Sequence, residues 1–152
     1  TVRIVDGIGE NPFQVTALFD NKVMALGLRS EEIVDRIQPD TTLIGVSCMF
    51  SQDWPEIRRL IQMTGKRFPG VPIIAGGEHI TAAGDFTLDT TPEVDLCVIG
   101  EGEETIVEIA DAMDRGGRLD TIAGVLLRAK DAGANLVLKR TPSGNVSTGS
   151  LA

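Results

Sequence analysis

Cysteine and histidine are scarce in this sequence. Cys48 and Cys97 are its two cysteines, and they lie far apart with no C-x-x-C or C-x-x-x-C-x-x-C spacing. This excludes a local zinc or iron–sulfur ligand set, and we predict that both cysteines are small buried hydrophobic side chains. Because His79 is the single histidine, this chain cannot assemble a multi-histidine metal centre.

Aromatic residues are few, and phosphate loops and long apolar runs are absent. With no tyrosine and a single tryptophan, Trp54, few rings are available to sandwich a flavin. No G-x-x-x-x-G-K-S/T motif is present, which leaves nucleotide hydrolysis without support. No apolar run approaches the roughly 18 residues of a membrane helix, and the segment 1–10 lacks a signal-peptide pattern. We therefore expect a soluble, cytoplasmic protein.

Basic residues are outnumbered by acidic ones. The 14 lysines and arginines stand against 22 aspartates and glutamates, a formal charge of −8, which disfavours nucleic acid and anionic membrane surfaces as partners. The length of 152 residues and the 42% hydrophobic content suit one globular domain. The segment 141–152 is predicted to be a flexible tail or linker, and the missing initiator methionine indicates a fragment.

Apolar runs without alternation predict strands that are buried on both faces of a parallel sheet. Three runs have this form, at 42–48, 71–75 and 95–99. The segment Val2 to Asp6 predicts a further short strand, whereas the stretch 8–29 has no clear periodicity. The segments 122–127 and 136–139 are predicted to form a hairpin.

Helical signals lie between these runs. Ser30 offers an N-cap for a helix that Pro39 stops, a second helix begins at Ser51 or Asp53, and a third begins at Glu103. Strands that alternate with helices predict an α/β fold. We expect a doubly wound, flavodoxin-like or Rossmann-like parallel sheet with a C-terminal β-hairpin.

In such folds ligands bind beyond the carboxyl ends of the strands, where this sequence places glycine-rich loops. Two explanations are open for Gly76-Gly77 and Gly100-Glu101-Gly102. Glycines without side chains allow the loop backbone to approach a bulky ligand closely, or they supply the positive φ that a tight turn needs. In a dinucleotide-binding fingerprint the pyrophosphate lies at the start of the following helix, where this sequence has Glu103 and Glu104. Negative carboxylates at that position disfavour nicotinamide and flavin dinucleotides as ligands. Carboxylates there also complement the dipole of a helix.

The remaining candidate residues are polar or apolar groups at the same strand ends. Ser47, Ser51 and Gln52 flank Met49-Phe50, a mixture suited to a partly apolar ligand, although Ser51 also fits an N-cap and Phe50 ordinary packing. His79 is open to packing or bonding a ligand, to an exposed loop position, or to metal ligation. No nucleophile has a base in its local sequence.

Four blocks of sequence together carry a family resemblance. They are GVSCMFSQDWPEIRRLI (45–61), VPIIAGGEHITA (71–82), DLCVIGEGEETIVEIADAM (95–113) and IAGVLLR (122–128). In combination they resemble the N-terminal cobalamin-binding domain of cobalamin-dependent radical S-adenosylmethionine enzymes, a family that includes methyltransferases and ring-forming enzymes. The resemblance implies a cobalamin-binding α/β domain over residues 1–128, with a hairpin extension at 129–140.

The resemblance also implies which residues bind the cofactor. The first group would line its nucleotide tail. In the second group the two glycines would let the tail pass and His79 would lie beside it, and the third group would close the pocket. These groups are Ser47, Met49, Phe50 and Ser51; Gly76, Gly77, Glu78 and His79; and Gly100, Glu101, Gly102 and Glu103. The Asp-x-His-x-x-Gly motif of methionine-synthase-type domains is absent, so no metal ligand is expected from this chain.

By the same resemblance, a central strand and a helix would precede Val2, and a neighbouring copy in a homodimer is one source of such a strand. A C-terminal radical enzyme domain, with S-adenosylmethionine and an iron–sulfur cluster, would follow the chain. This chain would present cobalamin to that domain, with methyl transfer by the full-length protein and no catalysis by the fragment alone.

A different class of function stays open. The alternative is a ligand-free, flavodoxin-like regulatory or protein-interaction module that uses the same edge of the sheet for partners. A phosphoacceptor receiver is disfavoured, because the sequence around Asp6 supplies neither the full acidic cluster nor the lysine that this chemistry needs.

Overall fold

The structure, a computed structural model, describes residues 1–128 and 138–140. Its first elements are an antiparallel hairpin of β1 (Val15–Leu18) and β2 (Val23–Leu26), followed by the helix α1 (Ser30–Arg36). The hairpin accounts for the stretch without clear periodicity, because strands of four residues are too short to establish a pattern.

The main sheet has five strands in chain order. β3 (Ile44–Ser47), β4 (Ile73–Gly76) and β5 (Leu96–Val98) run parallel. β6 (Val125–Arg128) and β7 (Leu138–Arg140) continue the sheet in antiparallel pairing. The predicted C-terminal hairpin is therefore present, and its second strand is described over 138–140. The segment 129–137 and the predicted tail at 141–152 lie outside the described residues.

Helices cover both faces of this sheet. On one face, α2 (Trp54–Arg67) and α3 (Glu78–Thr90) bury Ile61, Ile80 and Leu88 against alternate strand residues such as Ile73. On the other, α4 (Glu103–Arg115) packs its fully buried Ile109 beside Ile74, Leu96 and Val98. The burial of successive strand residues on opposite faces explains the absence of alternation. The doubly wound α/β fold is confirmed.

Two local predictions are wrong. Val2 to Asp6 forms no strand, and Val2 and Ile4 are almost fully exposed, because no described strand lies beside this segment to accept its backbone hydrogen bonds. Ser30 is the first residue of α1 instead of its N-cap, and its hydroxyl donates to Glu56 at 2.7 Å. The N–H of Arg29, the residue before it, donates to the Glu32 carboxylate at 2.8 Å.

The outer edge of β3 is open. β4 is the single described strand that pairs with it, and Gly45 and Ser47 are exposed on the face that carries α4. Among the described residues, no helix is long and apolar enough to cross a bilayer.

Candidate ligand-binding edge of the sheet

Hydrogen bonds connect the loops after β3, β4 and β5 at the carboxyl edge of the sheet. The Cys48 N–H donates to the Gly76 carbonyl at 2.8 Å, and the His79 N–H donates to the Cys48 carbonyl at 3.1 Å. The Gly100 N–H donates to the Thr81 hydroxyl at 2.9 Å. The three predicted groups of site residues therefore lie along one edge.

Two adjacent glycines at this edge have different roles. Gly77 has a φ of +98°, and a Cβ there would lie 2.5 Å from the Cys48 carbonyl oxygen. Any other residue at this position would collide with the neighbouring loop, so Gly77 is required by the fold itself. A Cβ on Gly76 would meet only Val98, at 3.8 Å. Gly76 is therefore the position where added bulk tests ligand access without breaking the turn.

The third loop is open to solvent. Gly100 has a φ of +83°, and a Cβ there would meet no atom within 4 Å. Glu101 is exposed beside it, and α4 begins at Glu103, so Glu103 and Glu104 lie in its first turn. The carboxylates complement the helix dipole, while Gly100 leaves room for a ligand.

The first loop carries exposed apolar side chains. Met49 is 54% exposed and Phe50 63% exposed, and Ser47 is exposed at the end of β3. Large apolar side chains held in solvent at a strand end are typical of a surface that a ligand or a partner covers.

Both cysteines are buried and inert. Cys48 and Cys97 have almost no exposed surface, which confirms the prediction from spacing. Desolvation, with a smaller contribution from Asp53, raises the pKa of the Cys48 thiol to about 11. Burial raises that of Cys97 to about 12. Neither thiol is a nucleophile near neutral pH, because the thiolate is the reactive form.

His79 is a packed residue that faces inward from the start of α3. Its Nδ1 lies 2.9 Å from the Ser51 hydroxyl oxygen, and its ring lies against Trp54 with the centroids 4.8 Å apart. Burial lowers the pKa of the imidazole, which favours the neutral ring. The exposed-loop interpretation is wrong: His79 is 8% exposed. Its Nε2 is buried and has no hydrogen-bond partner among residues 1–128 and 138–140.

Sequence reasoning misses two contributors to this edge, Trp54 and Thr81. Trp54 supports the imidazole of His79, and the Thr81 hydroxyl holds Gly100. Each residue lies in the first turn of a helix that follows a strand end. A polar or aromatic residue in the first turn of a helix that follows a strand end is therefore a pattern from which both contributors could have been predicted.

The edge as a whole is an open surface with mixed chemistry. It offers glycine backbone at Gly76 and Gly100 and apolar side chains at Met49 and Phe50. These groups fit a large ligand with apolar and hydrogen-bonding parts. Two cavities, of about 420 Å³ and 380 Å³, lie elsewhere: one beneath the opposite edge at Phe68 to Ile73, the other between β1 and α2.

Several known proteins are similar to this chain in sequence. An anaerobic magnesium-protoporphyrin IX monomethyl ester cyclase of Synechocystis is 32% identical over 104 residues, which is 66% of this chain and 21% of that protein. An uncharacterised methyltransferase of Pyrococcus horikoshii is 26% identical over 125 residues, 82% of this chain and 24% of the relative. Cytidylyl-2-hydroxyethylphosphonate methyltransferase of Streptomyces wedmorensis is 25% identical over 134 residues, which is 86% of this chain and 24% of that protein. The chain thus spans about a fifth to a quarter of the length of these relatives.

A solved structure shows the same fold. It is the radical S-adenosylmethionine methyltransferase TsrM of Kitasatospora setae, with cobalamin and a [4Fe-4S] cluster bound. The TM-score is 0.58 at 21% identity, over 76% of this chain and 20% of that one.

A family model supplies the assignment. The model described as the B12 binding domain matches residues 5–110, a range that includes the strand ends and the loops of the edge described above. The chain belongs to the B12-binding domain family.

Proposed function

We propose that this chain binds cobalamin across the carboxyl edge of β3, β4 and β5. The main observation behind the proposal is that hydrogen bonds join the loops after these three strands into one surface. This surface combines uncrowded glycine backbone at Gly76 and Gly100 with the exposed side chains of Met49 and Phe50. A corrin with amide side chains needs both backbone hydrogen bonds and apolar contacts. Membership of the B12-binding domain family supports the same ligand.

The residues of this chain would bind and shield the ligand without ligating its metal. His79 is turned inward against Trp54 and Ser51. Met49 and Phe50 would exclude water from an apolar flank. When bound, cobalamin supplies a cobalt centre that can carry a methyl group.

For the full-length protein we propose a cobalamin-dependent radical S-adenosylmethionine enzyme that transfers a methyl group. Two of the three relatives are named as methyltransferases and one as a cyclase, which supports methyl transfer as the reaction. S-adenosylmethionine and the iron–sulfur cluster would be bound by a C-terminal radical enzyme domain, and this chain alone would be catalytically silent. A homodimer and a cytoplasmic location remain predictions.

The test is direct retention of the ligand. The purified chain is mixed with hydroxocobalamin, free ligand is removed by gel filtration, and the visible spectrum of the protein peak is recorded. We expect the corrin to elute with the protein and its absorption bands to shift. A folded but colourless protein would contradict the proposal.

A matched pair of variants locates the site. Phe50→Ser removes an apolar side chain from the edge, whereas Phe86→Ser removes one of similar exposure, 55%, from the last part of α3. Loss of a single buried aromatic contact weakens binding by roughly tenfold. We expect Phe50→Ser to weaken the binding of hydroxocobalamin by this factor and Phe86→Ser to leave it unchanged. Equal effects of the two substitutions would contradict binding at this edge.

A protein-interaction module is the second candidate, and one observation favours it. The outward face of the β1–β2 hairpin pairs Val15 with Leu26 and Ala17 with Met24, and all four residues are exposed. Such an apolar face is typical of a surface that another protein covers. A chain that retains no corrin would favour this function.

A further inference from the structure

The Ser51 hydroxyl is held in place by a buried side chain. Ser51 is exposed at the start of a short 3-10 helix, Ser51–Asp53, and its Oγ lies 2.9 Å from the Nδ1 of His79. Trp54 fixes the imidazole from one face, and the backbone N–H of His79 is bonded to the Cys48 carbonyl. His79 therefore has little freedom to turn away from Ser51.

Ser51 does not serve as a helix cap. α2 begins at Trp54, and the residue before it, Asp53, makes no side-chain cap bond in the described chain. The one hydrogen bond that the Ser51 side chain makes within residues 1–128 is the bond to His79. The N-cap interpretation of Ser51 is therefore wrong, and the position of the hydroxyl needs another explanation.

The surroundings of the ring decide which nitrogen carries the proton. A neutral imidazole has one N–H and one lone pair. Its Nε2 is buried without a partner in the described part of the chain, and the rings of His79 and Trp54 are only 34° from parallel, so an Nε2–H would not point at the indole face. A buried N–H without an acceptor is disfavoured more strongly than a buried lone pair without a donor. The proton therefore belongs on Nδ1.

We propose that the Nδ1–H of His79 donates to the Ser51 oxygen and thereby leaves the Ser51 O–H free to donate to an acceptor oxygen of the bound cobalamin. This inference rests on the proposed function and deepens it. Ser51 is a side-chain hydrogen-bond donor at the edge, and His79 is a positioning residue that acts through it. The ligand groups that such a donor selects are amide carbonyls and phosphodiester oxygens, both of which cobalamin carries.

The tautomer can be measured without any ligand. Because His79 is the single histidine, long-range ¹H–¹⁵N correlation spectra of the whole chain give its two ring nitrogens without assignment ambiguity. We expect Nδ1 to have the shift of a protonated nitrogen and Nε2 that of an unprotonated one, at a pH where the ring is neutral. The reverse pattern would overturn the inference, even if cobalamin binds.

Binding by variants tests the donor role. Ser51→Ala removes the hydroxyl and Ser51→Thr keeps it, and both are titrated with hydroxocobalamin beside the wild type. Loss of one hydrogen bond raises the dissociation constant about 3- to 10-fold, which we expect for Ser51→Ala, while Ser51→Thr stays within about twofold of the wild type.

The outcomes separate the two proposals. If the wild type binds and Ser51→Ala binds equally well, the donor role is overturned and the cobalamin site stands. If the wild type itself retains no hydroxocobalamin, the proposed function fails, and the donor role fails with it. A loss of affinity in Ser51→Ala that Ser51→Thr restores supports the inference, because a purely structural role for Ser51 would change stability and leave affinity unaltered.

Discussion

At the scale of single residues, Gly76 and Gly77 illustrate what a sequence motif leaves undetermined. Both look alike in the sequence, yet only Gly77 combines a φ of +98° with a close approach to the Cys48 carbonyl. The motif predicts the turn correctly. It does not show which glycine serves the fold and which one leaves space for a ligand, because that difference depends on a neighbouring loop far away in sequence.

The two glycines therefore make a matched test. Gly77→Ala should lower the free energy of unfolding by about 2–4 kcal/mol through backbone strain and steric overlap. Gly76→Ala should change it by less than about 1 kcal/mol, because its Cβ would meet only Val98 at 3.8 Å. Urea unfolding of both variants measures the difference, and a Gly77→Ala chain as stable as the wild type would contradict this account of the turn.

The buried imidazole predicts a pH dependence. Burial lowers the pKa of His79 below its usual 6.5, so the unfolded chain takes up a proton first as the pH falls. The free energy of unfolding should therefore decrease as the pH drops below about 6.5. The carboxylates of Glu31 and Glu32, whose pKa values are lowered from 4.5 by hydrogen bonds to backbone N–H groups, contribute a loss only at more acidic pH.

Urea unfolding at about pH 7.5 and about pH 5.5 isolates the contribution of His79. The wild type should lose more stability between these values than His79→Asn, which has no imidazole to protonate. Equal losses in the two proteins would show that the imidazole is not the group responsible.

At the scale of elements, the apolar runs predict β3, β4 and β5 because a strand buried on both faces needs no alternation. The helix α3 is missed: Gly84 and several threonines interrupt its apolar stripe, and Ala83 departs from helical φ/ψ. Gly84 lies within it because a Cβ there would meet Ile99 at 2.8 Å. The strand predicted at Val2 to Asp6 is wrong although its local signal is strong. A segment with high strand propensity forms no strand when no neighbouring strand pairs with it.

The packing of α3 makes its own prediction. Leu88 is fully buried against the sheet, whereas Phe86 on the same helix is exposed. Leu88→Ala should lower the free energy of unfolding by about 2–5 kcal/mol, and Phe86→Ala by less than about 0.5 kcal/mol. Similar effects of the two substitutions in urea unfolding would contradict the orientation of the helix.

At the scale of the whole molecule, the parallel strands bring loops from distant parts of the sequence to one edge, and hydrogen bonds through Cys48 and Thr81 join them. The sequence predicts which loops meet, because the carboxyl ends of parallel strands share an edge. It does not predict the contact between His79 and Ser51 or the stacking on Trp54, because those depend on how α2 and α3 pack against each other.

The central claim is that cobalamin binds at this edge, and amide chemical shifts test it most directly. For a chain of 16.2 kDa, ¹H–¹⁵N correlation spectra are recorded before and after hydroxocobalamin is added. We predict the largest shifts in the three loops at 47–51, 76–79 and 100–103, with none at Gly65, Gly70 or Glu93, which line the cavity at the opposite edge. Shifts concentrated at that opposite edge, or on the outward face of the β1–β2 hairpin, would contradict the site assigned to this fold.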